Sequence, residues 1–338
     1  ASATQRSRTN KIPMLIHNNA EVFLHEQKAH ILKVFFQQLI GTTKQAAWNF
    51  SLLQLYPSPL PQLRDLTLPF SHDEIHQAFL SMNTNASPGP DGFGPIFFRK
   101  FWHIIKPSIL PFFAAFQDQT CSLERFNRAY MVLLPKTQAP TAPDAFRPIS
   151  LQNCTPKAVA KILTNRVKPL IPLLIHYDQT GFLHGRNIAE NFIYAADILS
   201  TCHTRKAQTM VFKLDFKKAF DSINWTSLIR ILTVRGFPSI FCDWVHDILS
   251  TGKTAILLNG VPGPWIQCRC GLRQGDPFSP YLFIIVADVL QRLIAKAFQP
   301  NILCHPLRPN EPPVTLQYAD DTLIIAAASD AATLILKK

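Results

Sequence analysis

Val314-Thr-Leu-Gln-Tyr-Ala-Asp-Asp-Thr-Leu-Ile-Ile-Ala326 is the stretch on which the reading of this chain turns. Two apolar runs, Val314–Tyr318 and Thr322–Ala326, are separated only by Ala319-Asp320-Asp321. Runs this short, rich in β-branched residues, read as strands, and so tight a break makes them a hairpin with acids at its tip. Adjacent carboxylates repel, and they persist most easily where a cation neutralises them. A turn also tolerates acids for solubility alone, so the pair by itself leaves that plainer reading open. A second acid narrows the choice. Thr209-Met-Val-Phe-Lys-Leu-Asp215 reads as a buried strand that ends on a carboxylate. If the two strands lie side by side, Asp215 and Asp320 converge on one point, where two Mg2+ ions about 4 Å apart would bridge them. Such a site needs hard oxygen ligands and neither cysteine nor histidine.

Outward from the acids, helical periodicity returns. Ser279–Ala297 reads as a long helix, with shorter ones at Trp225–Arg235, closed by Gly236, and at Ile240–Leu249. Thr254–Asn259 and Trp265–Cys270 read as two strands joined through Gly260-Val-Pro-Gly263. Upstream, helices are expected at Glu21–Ile40, Ile75–Met82, Phe97–Phe116, Lys157–Val167 and Asn187–Leu199. The first carries Leu24, Ile31, Leu32, Phe35 and Leu39 at helical spacing and stops at Gly41. Ser71-His-Asp-Glu74 matches a capping box ahead of the second. Residues 1–20 read as polar and irregular. Residues 56–69, with Pro57, Pro59, Pro61 and Pro69, read as a linker, and Ser87–Gly92 and Pro135–Pro148 as loops.

The chain has 338 residues, 47% of them hydrophobic, enough for a substantial core in one domain or two. Lys and Arg number 34 against 22 Asp and Glu, a net charge of +12 spread along the chain, which suits a surface that follows a phosphate backbone. Ordinary solubility charge is the competing explanation. Seven scattered cysteines, with Cys268-Arg-Cys270 the one close pair, complete no zinc pattern and read as buried, reduced thiols. Tyr281–Val286 is soon followed by Asp288, Gln291 and Arg292, so it reads as a core helix and not as a membrane span. A start at Ala1 and an end at Lys338 directly after an apolar run read as cut ends, those of a fragment of a longer polyprotein or of an incomplete gene model.

The motifs together carry a resemblance. Lys213-Leu-Asp-Phe-Lys-Lys-Ala-Phe-Asp221 resembles the first palm motif of non-LTR reverse transcriptases. Gly271-Leu-Arg-Gln-Gly-Asp-Pro-Phe-Ser-Pro280 is similar to their second, and Gln317-Tyr-Ala-Asp-Asp321 to their third. Pro88–Gly92, Phe146-Arg-Pro-Ile-Ser-Leu151 and Gln179-Thr-Gly-Phe-Leu-His-Gly-Arg186 resemble upstream boxes of the same family, and Glu21–Gly41 resembles the connector helix of plant LINE proteins. Asp276 departs from the small or apolar residue that the second motif leads one to expect.

The resemblance implies an α+β, right-hand polymerase fold: an N-terminal connector helix and Pro-rich linker at 1–69, fingers at 70–198, and a palm at 199–338. The palm would be an antiparallel sheet backed by helices, cut short, with the thumb missing. It implies RNA-directed DNA synthesis from dNTPs onto a primer 3′-hydroxyl. Asp215 and Asp320 would bind two Mg2+ ions (Mn2+ as a possible substitute), Asp321 would complete the acidic cluster, and the carbonyl of Phe216 would be a further ligand. Phe220 matches the ring that excludes a ribose 2′-hydroxyl. Gln274 and Gly275 match the loop that packs on nucleotide and template. Arg147, and after it Arg186, are the candidates for gripping the triphosphate, with a backbone-phosphate contact or a structural ion pair as the alternative for each. The implied partners are an RNA template and a primer from target DNA, with flanking endonuclease and RNase H domains. The implied site of action is the nucleus after cytoplasmic assembly, and a fragment on its own is expected to be weakly active or inactive. A group II intron enzyme fits less well because of the Pro88–Gly92 box and the helix before it. A viral RNA polymerase fits less well because of Phe220. A decayed element that binds nucleic acid without polymerising is the rival from another class.

Overall fold

Asn18 and Asn19, both at positive φ (50° and 61°), turn the chain between Leu15–His17 (β1) and Ala20–Val22 (β2), an antiparallel hairpin. Asparagine tolerates this primed-turn geometry. The hairpin consumes the start of the expected first helix, because Glu21 and Val22 pair with Ile16 and Leu15. Helix α1 therefore spans His25–Ile40, with Leu24 as an exposed N-cap and Gly41 as the C-cap. The computed structural model describes residues 11–43, 45, 48, 50–56, 58 and 60–337; residues 1–10, Pro57 and Pro59 of the expected linker, and Lys338 lie outside the described residues.

Helix α2, His72–Leu80, starts where Ser71 Oγ accepts from the Glu74 amide at 3.1 Å, a cap that contributes about 1 kcal/mol. Glu74 itself turns away from the cap and pairs with Arg166 at 2.7 Å. The expected helix at Phe97–Phe116 divides at Phe101 into α3, Pro95–Lys100, and α4, Trp102–Gln117. Strands β3, Arg128–Pro135, and β4, Phe146–Gln152, pair antiparallel, so the ends of the expected loop at Pro135–Pro148 are strand. Pro148 is tolerated because β4 is an outer strand, where a missing N–H costs no ladder bond.

Next come α5 at Cys154–Val167, α6 at Ile171–Leu174, α7 at Ile188–Thr204 and β5 at Thr209–Leu214. They are followed by α8 at Trp225–Val234, α9 at Ser239–Ser250, β6 at Lys253–Leu258 and β7 at Val261–Gln267. The chain continues with α10 at Ser279–Lys296, β8 at Val314–Tyr318, β9 at Asp321–Ala327 and α11 at Asp330–Leu336. The β6–β7 turn is Asn259-Gly260, both at positive φ, so Val261–Gly263 lies in the strand instead of the expected connection.

Two larger sheets organise these elements. One has the order β4-β3-β6-β7, with β3 and β6 parallel. It joins residues 128–152 to 253–267, and so draws on both the segment expected as fingers and the segment expected as palm. Leu32, Phe36 and Ile40 of α1 pack on its Met131, Leu133, Ile256, Leu258 and Ile266. The other sheet is fully antiparallel, β5-β9-β8, with Ala195, Ile198 and Cys202 of α7 against Val314, Leu316 and Ile325. Strand β5 is an edge of this sheet and only half-buried, with Val211 47% exposed, which corrects the expectation of a buried strand. The main core gathers Phe79, Phe113, Phe116, Phe241, Trp244 and Phe278 between the helices. At its margin one carboxylate is wholly buried: Asp288 on α10 accepts from Tyr56 Oη, Arg235 Nη1, Arg292 Nε and the His176 amide.

Candidate active site

Strand alternation and a two-residue turn set the acids. Tyr318 pairs with Asp321 across the β8–β9 turn, leaving Ala319 and Asp320 at the tip, with Ala319 at φ 55°. On the other side of β9, Leu214 pairs with Thr322, so Asp215 leaves β5 at the same end of the sheet. Asp215 and Asp320 both line one cleft of about 700 Å³, together with Phe216, Phe220, Gln274, Gly275 and Arg147. Seven of the nine residues singled out from the sequence thus share this cleft. Asp321 lines a neighbouring hollow with Lys213, Phe192 and Tyr318. Asp320 belongs to the turn, whereas Asp321 is the first residue of β9. Among the described residues, no group of three or more His, Cys, Asp or Glu side chains is placed to hold a metal ion.

Phe220 is half-buried, stacked on Phe283 with centroids 4.5 Å apart and planes 10° apart, and it meets the edge of Phe182 at 6.3 Å. It therefore packs as a core ring on one side and lines the cleft on the other. Its backbone is braced by the second motif: the Phe220 carbonyl accepts from the Leu272 amide, and the Ile223 carbonyl from that of Gly271, both at 2.8 Å. Gly271 sits at φ 80°, and a Cβ there would come within 2.9 Å of the Asp221 carbonyl oxygen, so the two motifs can approach this closely only with glycine.

The loop then runs along β4. The Ser150 amide donates to the Gln274 carbonyl at 2.8 Å, and Gly275 lies at φ 103°. Asp276, the departure from the motif, is buried and caps α10: its Oδ1 accepts from the Phe278 amide at 2.8 Å and the Ser279 amide at 3.1 Å. A carboxylate at a helix N-terminus satisfies amides that have no partner within the helix.

Arg147 is exposed on β4 and faces the cleft. Arg186 does not line it. Its Nη1 donates to the carbonyls of His176 at 2.6 Å and Gln179 at 2.8 Å, with Tyr177 at 3.3 Å, and burial pulls its pKa down against the pull of Asp178 and Asp288. The guanidinium thus ties a loop together.

Several lining residues were not read from the sequence. Phe35, Phe36 and Leu39 of α1 form part of the cleft wall, and Lys218 Nζ rests 3.9 Å from the centre of the Phe35 ring. Burial lowers the Lys218 pKa, while Asp144 and Asp221 oppose that shift. Lys136 and Lys217 add to the basic rim. The apolar stripe of α1 was visible as a stripe; its destination depends on contacts far along the chain, from Met131 and Leu133 to Ile256, Leu258 and Ile266.

The family described as "Reverse transcriptase (RNA-dependent DNA polymerase)" matches residues 134–338, more than half of the chain. The Transposon TX1 uncharacterized 149 kDa protein of Xenopus laevis is 29% identical over 77% of this chain and 20% of its own length. A retrovirus-related Pol polyprotein from the type-1 retrotransposable element R2 of Nasonia vitripennis is 29% identical over 69% of this chain and 22% of its own length. The chain thus spans about a fifth of the length of these relatives. Among solved structures, an apo telomerase from Candida tropicalis, truncated from its C-terminal domain, aligns with a TM-score of 0.46 at 13% identity, over 63% of this chain and 46% of that one.

Proposed function

Because the chain belongs to the reverse transcriptase (RNA-dependent DNA polymerase) family, we propose that it forms the catalytic cleft of a non-LTR retrotransposon polyprotein and copies RNA into DNA. The observation that carries this reading is the meeting of Asp215 and Asp320, 105 positions apart (320 − 215), at one end of one sheet and in one cleft. Their carboxylates, with the adjacent Phe216 carbonyl, would offer an all-oxygen donor set of the kind that suits Mg2+, with Mn2+ as a substitute. Asp321 adds charge from the next peptide. The chemistry supplied by two divalent cations at such a set is polarisation of phosphate oxygens and neutralisation of developing charge.

The chain's own residues do the rest. Arg147 offers a guanidinium to the triphosphate, with Lys217 and Lys218 adding positive charge nearby. Phe220, a ring on the cleft wall, would exclude a 2′-hydroxyl by its bulk. Gln274 and Gly275 supply backbone against which a base pair can lie. The proposed partners are an RNA template, a primer from target DNA, dNTPs, and flanking endonuclease and RNase H domains. The proposed setting is the nucleus, after cytoplasmic assembly. No helix among the described residues is long and apolar enough to cross a membrane.

Primer extension on an RNA template tests this. Extension should require dNTPs and stop on chelation of divalent cations, then return with added Mg2+. Equal use of rNTPs would turn the reading toward an RNA polymerase. Phe220→Val sharpens the test. Opening space beside C2′ should lower the ratio of kcat/KM for dNTP over rNTP by about 10- to 100-fold, the range for shape discrimination in an apolar pocket. Because the ratio is internal to one enzyme, lost packing on Phe283 cancels from it. An unchanged ratio would reduce Phe220 to a core residue.

A further inference from the structure

Gln179 lies beside β8 and makes an isolated parallel bridge to Gln317. The Gln317 amide donates to the Asp178 carbonyl at 3.1 Å, and the Gln317 carbonyl accepts from the Thr180 amide at 2.9 Å. The Thr180 hydroxyl and the Asn191 side-chain amide also donate to that carbonyl, at 3.2 Å and 3.3 Å. Beyond Gln317 the hairpin turns, and a side chain takes over the pairing. Gln179 Oε1 accepts from the Ala319 amide at 2.8 Å and the Gly181 amide at 2.9 Å, and Gln179 Nε2 donates to the Ala319 carbonyl at 3.3 Å.

A primary amide carries the same donor and acceptor as a peptide, so Gln179 serves Ala319 as a neighbouring strand would. The fit is close: Gln179 is 1% exposed, and a Cβ on Gly181 would stand 2.4 Å from the Ala319 nitrogen. Ala319 needs the support. It sits at φ 55°, a region that residues with a Cβ rarely adopt. The next residue is Asp320.

We propose that Gln179 is a positioning residue for the metal-binding carboxylate Asp320, its amide holding the Ala319 peptide in the left-handed turn that aims Asp320 into the cleft. Arg186, bonded to the carbonyls of His176, Tyr177 and Gln179, holds the same segment from outside. The proposal rests on the polymerase reading, since it gives Asp320 a metal to bind.

The test is Gln179→Met, which keeps volume and removes the amide. Gln117→Met is the control, because Gln117 also accepts a backbone N–H, that of Phe70 at 2.7 Å, in another part of the fold. Mn2+ binding to the 338-residue chain is followed by electron paramagnetic resonance, and amide exchange is followed at Ala319. Steady-state extension is measured in the polyprotein that carries the chain. Gln179→Met should speed exchange at Ala319, raise the Mn2+ Kd about tenfold and lower kcat about 10- to 100-fold, the scale of a sub-ångström to ångström misplacement. The dNTP KM should stay within about twofold, and Gln117→Met should leave all four quantities near wild type. If Gln179→Met does not fold, Arg186→Met carries the test, with a Kd rise of about threefold expected. Faster exchange at Ala319 with Mn2+ Kd and kcat unchanged would overturn the proposal, as would an equal loss in Gln117→Met. A wild-type chain that binds no Mn2+ would instead overturn the polymerase reading on which the proposal stands.

Discussion

Asp320→Asn is expected to abolish primer extension, with kcat at least about 10³-fold down and affinity for the RNA–DNA duplex near wild type. The substitution keeps the shape of the side chain and one oxygen but removes the charge, and loss of a metal ligand costs several kcal/mol of transition-state stabilisation. Asp215→Asn should behave alike, because both residues line the same cleft. Asp321→Asn should cost less, since Asp321 lines the adjoining hollow and not the cleft. Single-turnover extension with duplex binding measured in parallel checks all three. Near wild-type extension by Asp320→Asn would end the catalytic assignment. A loss in Asp321→Asn equal to that in Asp320→Asn would show that all three acids act at one point.

The largest expected loss of stability lies away from the cleft. Asp288→Ala removes the acceptor shared by Tyr56, Arg235, Arg292 and the His176 amide, at a side chain with no exposure to solvent. Arg235, only 3% exposed at its side chain, would keep the carbonyls of Leu174 and Ile285 but lose its counter-charge. Burial already draws the Arg235 pKa downward, and Asp288 is the chief opposing influence. Breaking such a pair from one side costs about 3–5 kcal/mol, because an uncompensated charge stays buried. Urea denaturation of the two proteins measures it, and a difference under about 1 kcal/mol would mean that water reaches the network. His176 begins the segment that leads to Gln179, so a loosened Asp288 should also raise amide exchange along 176–181.

Where sequence and structure agree, the signal was local. The β8–β9 hairpin with acids at its turn, the long helix at Ser279 and the Ser71 cap follow from alternation, period and capping chemistry over a few residues. The β1–β2 hairpin was missed because its strands are three residues each and partly polar. Strand β4 was obscured by Pro148, which is tolerated because β4 lies at a sheet edge, and β3 by Pro135, which is its last residue. The divergence of Asp321 from Asp320 depends on where the turn ends: Asp320 stays in the turn and Asp321 is the first residue of β9. The role of Gln179 was not legible, because its partner lies 140 residues away. Asp276 resisted reading for a related reason: a buried acid is a cap only once the helix it faces is placed.

The sheet that joins β3 to β6 also imposes an order on biosynthesis. Thr254 meets Ala129 from 125 residues further along the chain, and the side chain of Asn259 bonds the Ile12 peptide across 247 residues. At ribosomal rates of about 5–20 residues per second, the amino-terminal segment would wait on the order of ten seconds or more for that partner. Until β6 emerges, β3 keeps an unpaired edge, and α1 has only part of the apolar surface it will cover. Translational pausing within residues 153–252, or loss of a chaperone that shields nascent strands, should therefore lower the yield of folded protein without changing any residue of the cleft.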